Sequence, residues 1–330
     1  MPEDMSAVNE SILLNFRKGF APLADALETL GFEVIENQWL PSAETLGRTR
    51  LCIVNLYEAA RRPLAALRLK HRASRHGVPV IALDRDAPWH MGLRKRRLLL
   101  LEWLKPFDVY ASHTLQPTYE FAPVTIYNPN AVWTRHFNLH GQTLEAMRDP
   151  AYYELDASFL GNLNGSRYKE HAERERFFAE LGRRLEPLGL RVRFSDSTGL
   201  QDAEQIRVIQ RSRINLSYRS SCDHASEGSW GLPERCYGVP ARGGFLLSDA
   251  RRHAADDFDP EREWAAYEGI DDCVAKIRHF LAHFGQARSI AEAAHARVFA
   301  QHTYAHRARR LIAAADAVRR ERSPGAAQDD

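Results

Sequence analysis

The chain has 330 residues, 44% of them hydrophobic and 27% charged, with a net charge of only +2. This is the profile of a soluble globular protein long enough for two domains of ordinary size, and as a whole it does not resemble a nucleic-acid binder. The cysteines at 52, 222, 236 and 273 form no Cys-x-x-Cys pair, which argues against a disulfide scaffold or a structural zinc and fits a reducing cytoplasm. No stretch approaches the ~18 apolar residues of a membrane span, and the opening residues 1–10 are acidic and polar, unlike a secretory leader.

In chain order, residues 11–15 read as a first strand. Residues 22–30 follow as a helix, with apolar residues at 23, 26, 27 and 30 and Gly31 as its stop. Strands are expected at 32–35, 51–56, 78–83, 109–112 and 124–127, with helices at 63–75 and 93–104. Strands alternating with helices of this length predict a parallel sheet covered on both faces. Periodicity breaks over 138–153, where Gly141, Asp149 and Pro150 fall, and the domain boundary is placed there. Alternation restarts with strands at 157–160, 190–194, 214–218 and 245–247 and helices at 168–185 and 203–211. A turn or helix is expected at 233–237, and everything from 270 onward is helical. The last residues, 323–330, are polar and expected to be disordered.

The most specific stretch is Arg235-Cys236-Tyr237-Gly238-Val239-Pro240-Ala241-Arg242-Gly243-Gly244, leading into an apolar strand that ends in Ser248-Asp249. His302-x-Tyr304-x-x-Arg307 follows further on. These motifs resemble the CgeB-like (spore-maturation type) glycosyltransferases, which have a group 1 glycosyltransferase-like C-terminal domain. The resemblance runs over residues 157–312. It implies an α/β protein of GT-B architecture, with two Rossmann-like domains facing a central cleft. Residues 1–150 would form the acceptor-side domain and 151–322 the nucleotide-sugar domain, with the terminal helices packing back toward the first. It further implies a hexosyltransferase-like enzyme of the 2.4 class that needs no metal or other cofactor. His302, Tyr304, His306 and Arg307 suit packing better than metal binding, with Thr303 as a cap.

In open parallel sheets, ligands bind beyond the carboxyl ends of the strands. The loop after 157–160 offers Gly161, Asn162, Asn164 and Arg167, a glycine-containing approach to a helix start with a cation suited to a diphosphate. The long polar loop 219–231 offers Arg219 and Glu227, and the motif adds Glu234, Arg235, Gly243 and Gly244. The family pattern has a glutamate after the aromatic, where it holds the ribose of the donor. Gly238 stands there, with Glu234 and Glu227 as substitutes that do not match the motif. In the first half, Arg17, Lys18 and Gly19 follow the first strand, where such enzymes reach the sugar phosphate. Asp86, His90 and His113 are candidate bases for the acceptor hydroxyl.

Several alternatives stay open. Asp84-Arg85-Asp86 has the form of the metal-binding Asp-x-Asp of GT-A transferases. A non-catalytic, degenerate GT-B module holding an anionic partner is another reading. Between Arg48 and Arg97, thirteen Lys/Arg face three acids. This could serve an anionic acceptor (glycan, protein or small molecule), or simply be a solvated face. The segment 94–104, basic then apolar, is favoured as a core-facing helix, with peripheral contact at the inner membrane face as the alternative.

Overall fold

The computed structural model describes residues 10–86, 93–115, 118–166, 169–220 and 231–322. The chain divides into two compact units, Met1–Pro129 with Tyr304–Asp330, and Asn130–Thr303.

The first unit carries β1 (Ser11–Asn15), α1 (Ala21–Thr29), β2 (Glu33–Glu36), α2 (Ala43–Gly47), β3 (Thr49–Asn55), α3 (Leu56–Arg61), α4 (Pro63–Ser74), β4 (Val80–Leu83), α5 (Lys95–Leu104), β5 (Val109–Ser112) and β6 (Val124–Tyr127). All strand pairs are parallel, in the order β2-β1-β3-β4-β5-β6. β1 and β4 are buried along their whole length, so they read as continuous apolar runs rather than alternating ones. The caps are local: Ser42 Oγ accepts from Thr45 N at the start of α2, and Asn55 Oδ1 accepts from Glu58 N at the start of α3. Right-handed crossovers place α2, α4 and α5 on one face, where Leu46, Leu69, Leu98 and Leu101 join one core. The other face is covered by α1 and by α12 (Tyr304–Arg322), which lies across β3, β4 and β5. Arg50 bonds Asp316 at 2.9 Å, Arg319 donates to the Thr49 carbonyl, and Arg307 Nε donates to the Pro129 carbonyl.

The second unit carries β7 (Leu155–Leu160), α6 (Lys169–Leu185), β8 (Val192–Ser195), α7 (Asp202–Gln210), β9 (Ser212–Ser217), α8 (Arg235–Ala241), β10 (Leu246–Asp249), α9 (Ala254–Asp257), β11 (Ala265–Tyr267), α10 (Gly269–Ala282) and α11 (Phe284–Gln301). Its sheet is also parallel, in the order β11-β10-β9-β7-β8.

The units divide the chain differently from the expected 1–150 and 151–322. The irregular segment after residue 129 packs within the second unit. Gln210 Nε2 donates to the Leu139 carbonyl, Tyr153 Oη to the Met147 carbonyl, and Arg148 pairs with Glu292. The loss of periodicity after residue 138 marked missing strands, not a change of packing partner. The final helix belongs with the first unit. β11 was not foreseen, because three residues are too few to show a period. The 323–330 tail lies outside the described residues.

Candidate functional site

The second unit has its topological switch point between β7 and β9, because β8 lies on one side of β7 and β9 on the other. Loops leaving the carboxyl ends of these strands therefore open a crevice there. Residues 161–166 form the first loop, and its shape is set by short side chains. Asn162 Oδ1 accepts from Asn164 N, Asn164 Oδ1 from Ser166 N, and Asp196 Oδ2 from Leu163 N. Burial raises the Asp196 pKa, but the hydrogen bonds it accepts outweigh this and leave it below the usual carboxylate value.

Gly161 is needed for a close approach. A Cβ there would come within 2.7 Å of the Phe159 ring and 2.8 Å of Arg235 Nη2. Arg235, the first residue of α8, lies over the Phe159 ring at 4.9 Å, and Arg174 of α6 lies near the same ring at 5.6 Å. Arg174 is 2% exposed and donates to three backbone carbonyls: Asn162 at 2.7 Å, Tyr218 at 2.9 Å and Arg219 at 2.5 Å. One guanidinium thus ties the loop after β7 to the loop after β9. Arg219 has φ +46°, a conformation that costs energy in a side-chain-bearing residue. It is held by its N–H to Asp249 Oδ2 (3.1 Å) and by Arg174 on its carbonyl. Asp249 also accepts from Arg251, which donates to the Gly231 carbonyl.

Gly161, Asn162, Asn164, Arg219 and Arg235 therefore gather at one end of the sheet, and Glu234, half-buried, directly precedes α8. Gly243 and Gly244 do not join them. They precede β10, at the amino ends of the strands. Gly243, at φ +78°, is closed in by Met147, and Gly244 by Asn215 and Val239. They serve a tight turn and a packing contact, which corrects their assignment to the nucleotide. A Cβ at Gly238 would meet the Phe137 ring at 2.7 Å, so the position of the missing glutamate is filled by an aromatic ring. Phe137 also lies under the buried Arg242 guanidinium at 4.3 Å, whose pKa burial lowers to about 10. Arg167, Glu227 and His90 lie outside the described residues.

Sequence reading missed Arg174. Its signal was present: in α6, residues 171, 174, 178, 181 and 185 form one helical stripe, and an arginine among apolar residues there must point inward.

In the first unit, Asp84 and His113 stand just beyond the carboxyl ends of β4 and β5. Asp84 Oδ1 accepts from His113 N at 2.8 Å and contacts His113 Nδ1 at 2.9 Å, and its Oδ2 accepts from Tyr110 Oη. Burial, then Asp84, pushes the Tyr110 hydroxyl pKa well up, so it stays a donor. A carboxylate oxygen accepts, so Nδ1–H is the donor of this contact and the ring is held in the tautomer protonated there. Asp86 is half-buried in the bend after β4. Arg17, Lys18 and Gly19 lie exposed after β1, Gly19 against the Glu36 carboxylate. His302 Nε2 contacts the Asp257 carbonyl oxygen and its ring packs by Tyr237 and Phe258, a core position.

A family model described as "Glycosyl transferase-like" matches residues 129–313, more than half of the chain. The chain belongs to this family. No curated protein sequence matches it. Among solved structures it is similar to sucrose-phosphate synthase from Thermosynechococcus elongatus, with TM-score 0.61 and 12% identity over 92% of this chain and 97% of that one. It is also similar to Anabaena HepE in complex with UDP and glucose, with TM-score 0.57 and 12% identity over 93% and 100%. An alpha1,3-fucosyltransferase with GDP gives TM-score 0.55 and 9% identity over 97% and 93%. At these identities the likeness assigns the fold, which is GT-B. The GT-A reading of Asp84 and Asp86 is set aside, because the fold differs and both Asp84 oxygens are engaged by Tyr110 and His113. No group of three potential metal-binding side chains occurs among the described residues.

Proposed function

We propose that this glycosyltransferase moves a sugar, as a hexosyltransferase of the CgeB-like branch, from a nucleotide-sugar donor to an acceptor hydroxyl. The reading rests foremost on the convergence of Arg174, Arg219 and Arg235 at the β7/β9 switch point, inside the family-matched region. Arg235 and Arg219 would neutralise the leaving diphosphate, with Gly161, Asn162, Asn164 and Arg167 shaping its loop. Arg174 would act as a positioning residue. Relatives in the fold were solved with UDP and glucose or with GDP, which supports a nucleotide in the second unit. Arg17, Lys18 and Gly19 would face the sugar phosphate.

The acceptor would be held by the first unit. Its oxygen attacks the anomeric carbon, the bond from that carbon to the diphosphate oxygen breaks with its electron pair, and the hydroxyl proton passes to His113 Nε2. Asp84 would hold the imidazole in the required tautomer, and Asp86 and His90 are the alternative bases. With guanidinium groups at the diphosphate, no metal is needed. A cytoplasmic setting fits the reduced, buried Cys52, Cys236 and Cys273.

The Phe137-filled Gly238 position favours one competing reading, a module that binds a nucleotide without transferring sugar. A panel of nucleotide sugars assayed for donor turnover, with and without chelator, separates the two. Turnover that persists in chelator is expected. Binding of nucleoside diphosphate without turnover on any acceptor class would favour the module, and turnover restored only by Mn²⁺ would overturn metal independence.

A further inference from the structure

Helix α5 is apolar on both sides. Leu98 and Leu101 are buried in the first unit's core. At 100° per residue, Leu99, Leu100 and Trp103 fall on the opposite side together with Arg96. That side is open: Trp103 is 79% exposed, and Leu99 and Leu100 are exposed as well. A helix resting on a sheet through one stripe should be polar on the other, and a helix apolar all round is normally covered. The neighbouring α4 repeats the pattern, with Ala66, Leu69 and Ala73 inward and Leu64 (62% exposed) and Leu67 outward. The crossovers from β3 to β4 and from β4 to β5 run in the same direction, so α4 and α5 lie side by side on one face of the sheet.

The exposed charges of α4 and α5 are cationic. α4 contains no acidic residue, and α5 has only Glu102, whose carboxylate accepts from Glu120 N. Arg94, Lys95 and Arg96 are exposed at the start of α5, and Arg68 and Arg72 on α4. Other cations of the basic stretch are neutralised internally: Arg48 by Glu33, Arg50 by Glu10 and Asp316, and Lys70 by Asp108. A second copy docked here would set cations against cations. An anionic lipid surface suits both features, since tryptophan sits at headgroup level and Lys/Arg are drawn to lipid phosphates. No helix among the described residues is long and apolar enough to cross a membrane, so this face would lie on the bilayer rather than in it.

We propose that the face formed by α4 and α5 docks on an anionic membrane. Leu99, Leu100 and Trp103 enter the headgroup region, and Arg94, Lys95 and Arg96 contact the phosphates. The test is flotation of the full chain with vesicles of phosphatidylcholine alone or with phosphatidylglycerol added. Binding only to the second kind is expected. The Arg94→Gln/Lys95→Gln/Arg96→Gln variant should partition on the order of 100-fold more weakly, and Leu99→Ser/Trp103→Ser roughly tenfold or more. All five positions are exposed, and unchanged near-UV dichroism would show both variants folded. The proposal falls if the wild-type chain floats with neither vesicle, or if both variants float as it does. It falls equally if the chain is a dimer in solution that Leu99→Ser/Trp103→Ser splits without any vesicle binding.

Discussion

The two units carry the same kind of sheet but anchor its carboxyl end with opposite charge. In the second, a buried guanidinium, Arg174, collects carbonyls from two loops, and Arg219 and Arg235 stand beside it. In the first, a buried carboxylate, Asp84, collects donors from Tyr110 and His113. An anchor of one sign fixes what the neighbouring groups can do. A cationic anchor suits loops that meet an anion, whereas a carboxylate anchor fixes the ring orientation of the histidine it holds. The proposed division of labour, with the diphosphate on one sheet and proton transfer on the other, rests on this difference.

The hardest strain on this contrast comes from His113→Ala. If His113 takes the acceptor proton, kcat should fall by roughly 10²–10⁴-fold with donor affinity unchanged. Asp84→Asn should lower kcat with donor affinity unchanged, because the imidazole loses the carboxylate that fixes its ring. A folded His113→Ala enzyme with wild-type kcat would reduce the Asp84–His113 pair to a packing contact. Next in size is Arg235→Ala. The affinity for a nucleoside diphosphate, measured by calorimetry, should drop by about 1.5–3 kcal/mol, with little change for the nucleoside alone. Arg235→Lys should not restore it, because the planar group that stacks on Phe159 is lost. Equal losses for diphosphate and nucleoside would break the link between cationic anchor and anionic ligand. The smallest effect sharpens the edge of the second site. Gly238→Glu must displace the Phe137 ring, so thermal unfolding should show a loss of about 1–3 kcal/mol. Wild-type stability in that variant would mean that the ring yields and that the position can take the family's glutamate.

Much of this was legible before any coordinates. Strand–helix alternation gave two parallel sheets, the carboxyl-end rule pointed to the loops that carry Gly161 and Arg219, and the motif supplied Arg235. The errors have physical causes. Gly243 and Gly244 belong to a motif, and motif membership does not say which end of a strand a residue occupies. Asp84 looked like half of a metal pair because its hydrogen-bond donors, Tyr110 and the His113 backbone, are distant in sequence. Arg174 was passed over because an arginine in a charged helix reads as solvent-facing until its place on the apolar stripe is counted. The filling of the Gly238 position by Phe137 could not be read, since it is a contact between residues about a hundred positions apart.

The return of α12 to the first unit has a consequence for how the protein is made. During synthesis, β1 to β6 emerge first, but α12, which shares one face of their sheet with α1, is translated only after the whole second unit. All of residues 130–303 must come off the ribosome in between, roughly 10–35 seconds at ordinary elongation rates. For that interval the nascent first unit lacks Leu311, Ala315 and Val318 over its strands, and Arg50 lacks Asp316. The second unit, whose residues are contiguous, has no such wait. A chain released early, before residue 304, would hold a finished second unit and a first unit with only α1 on one face of its sheet, a natural substrate for chaperones and proteases.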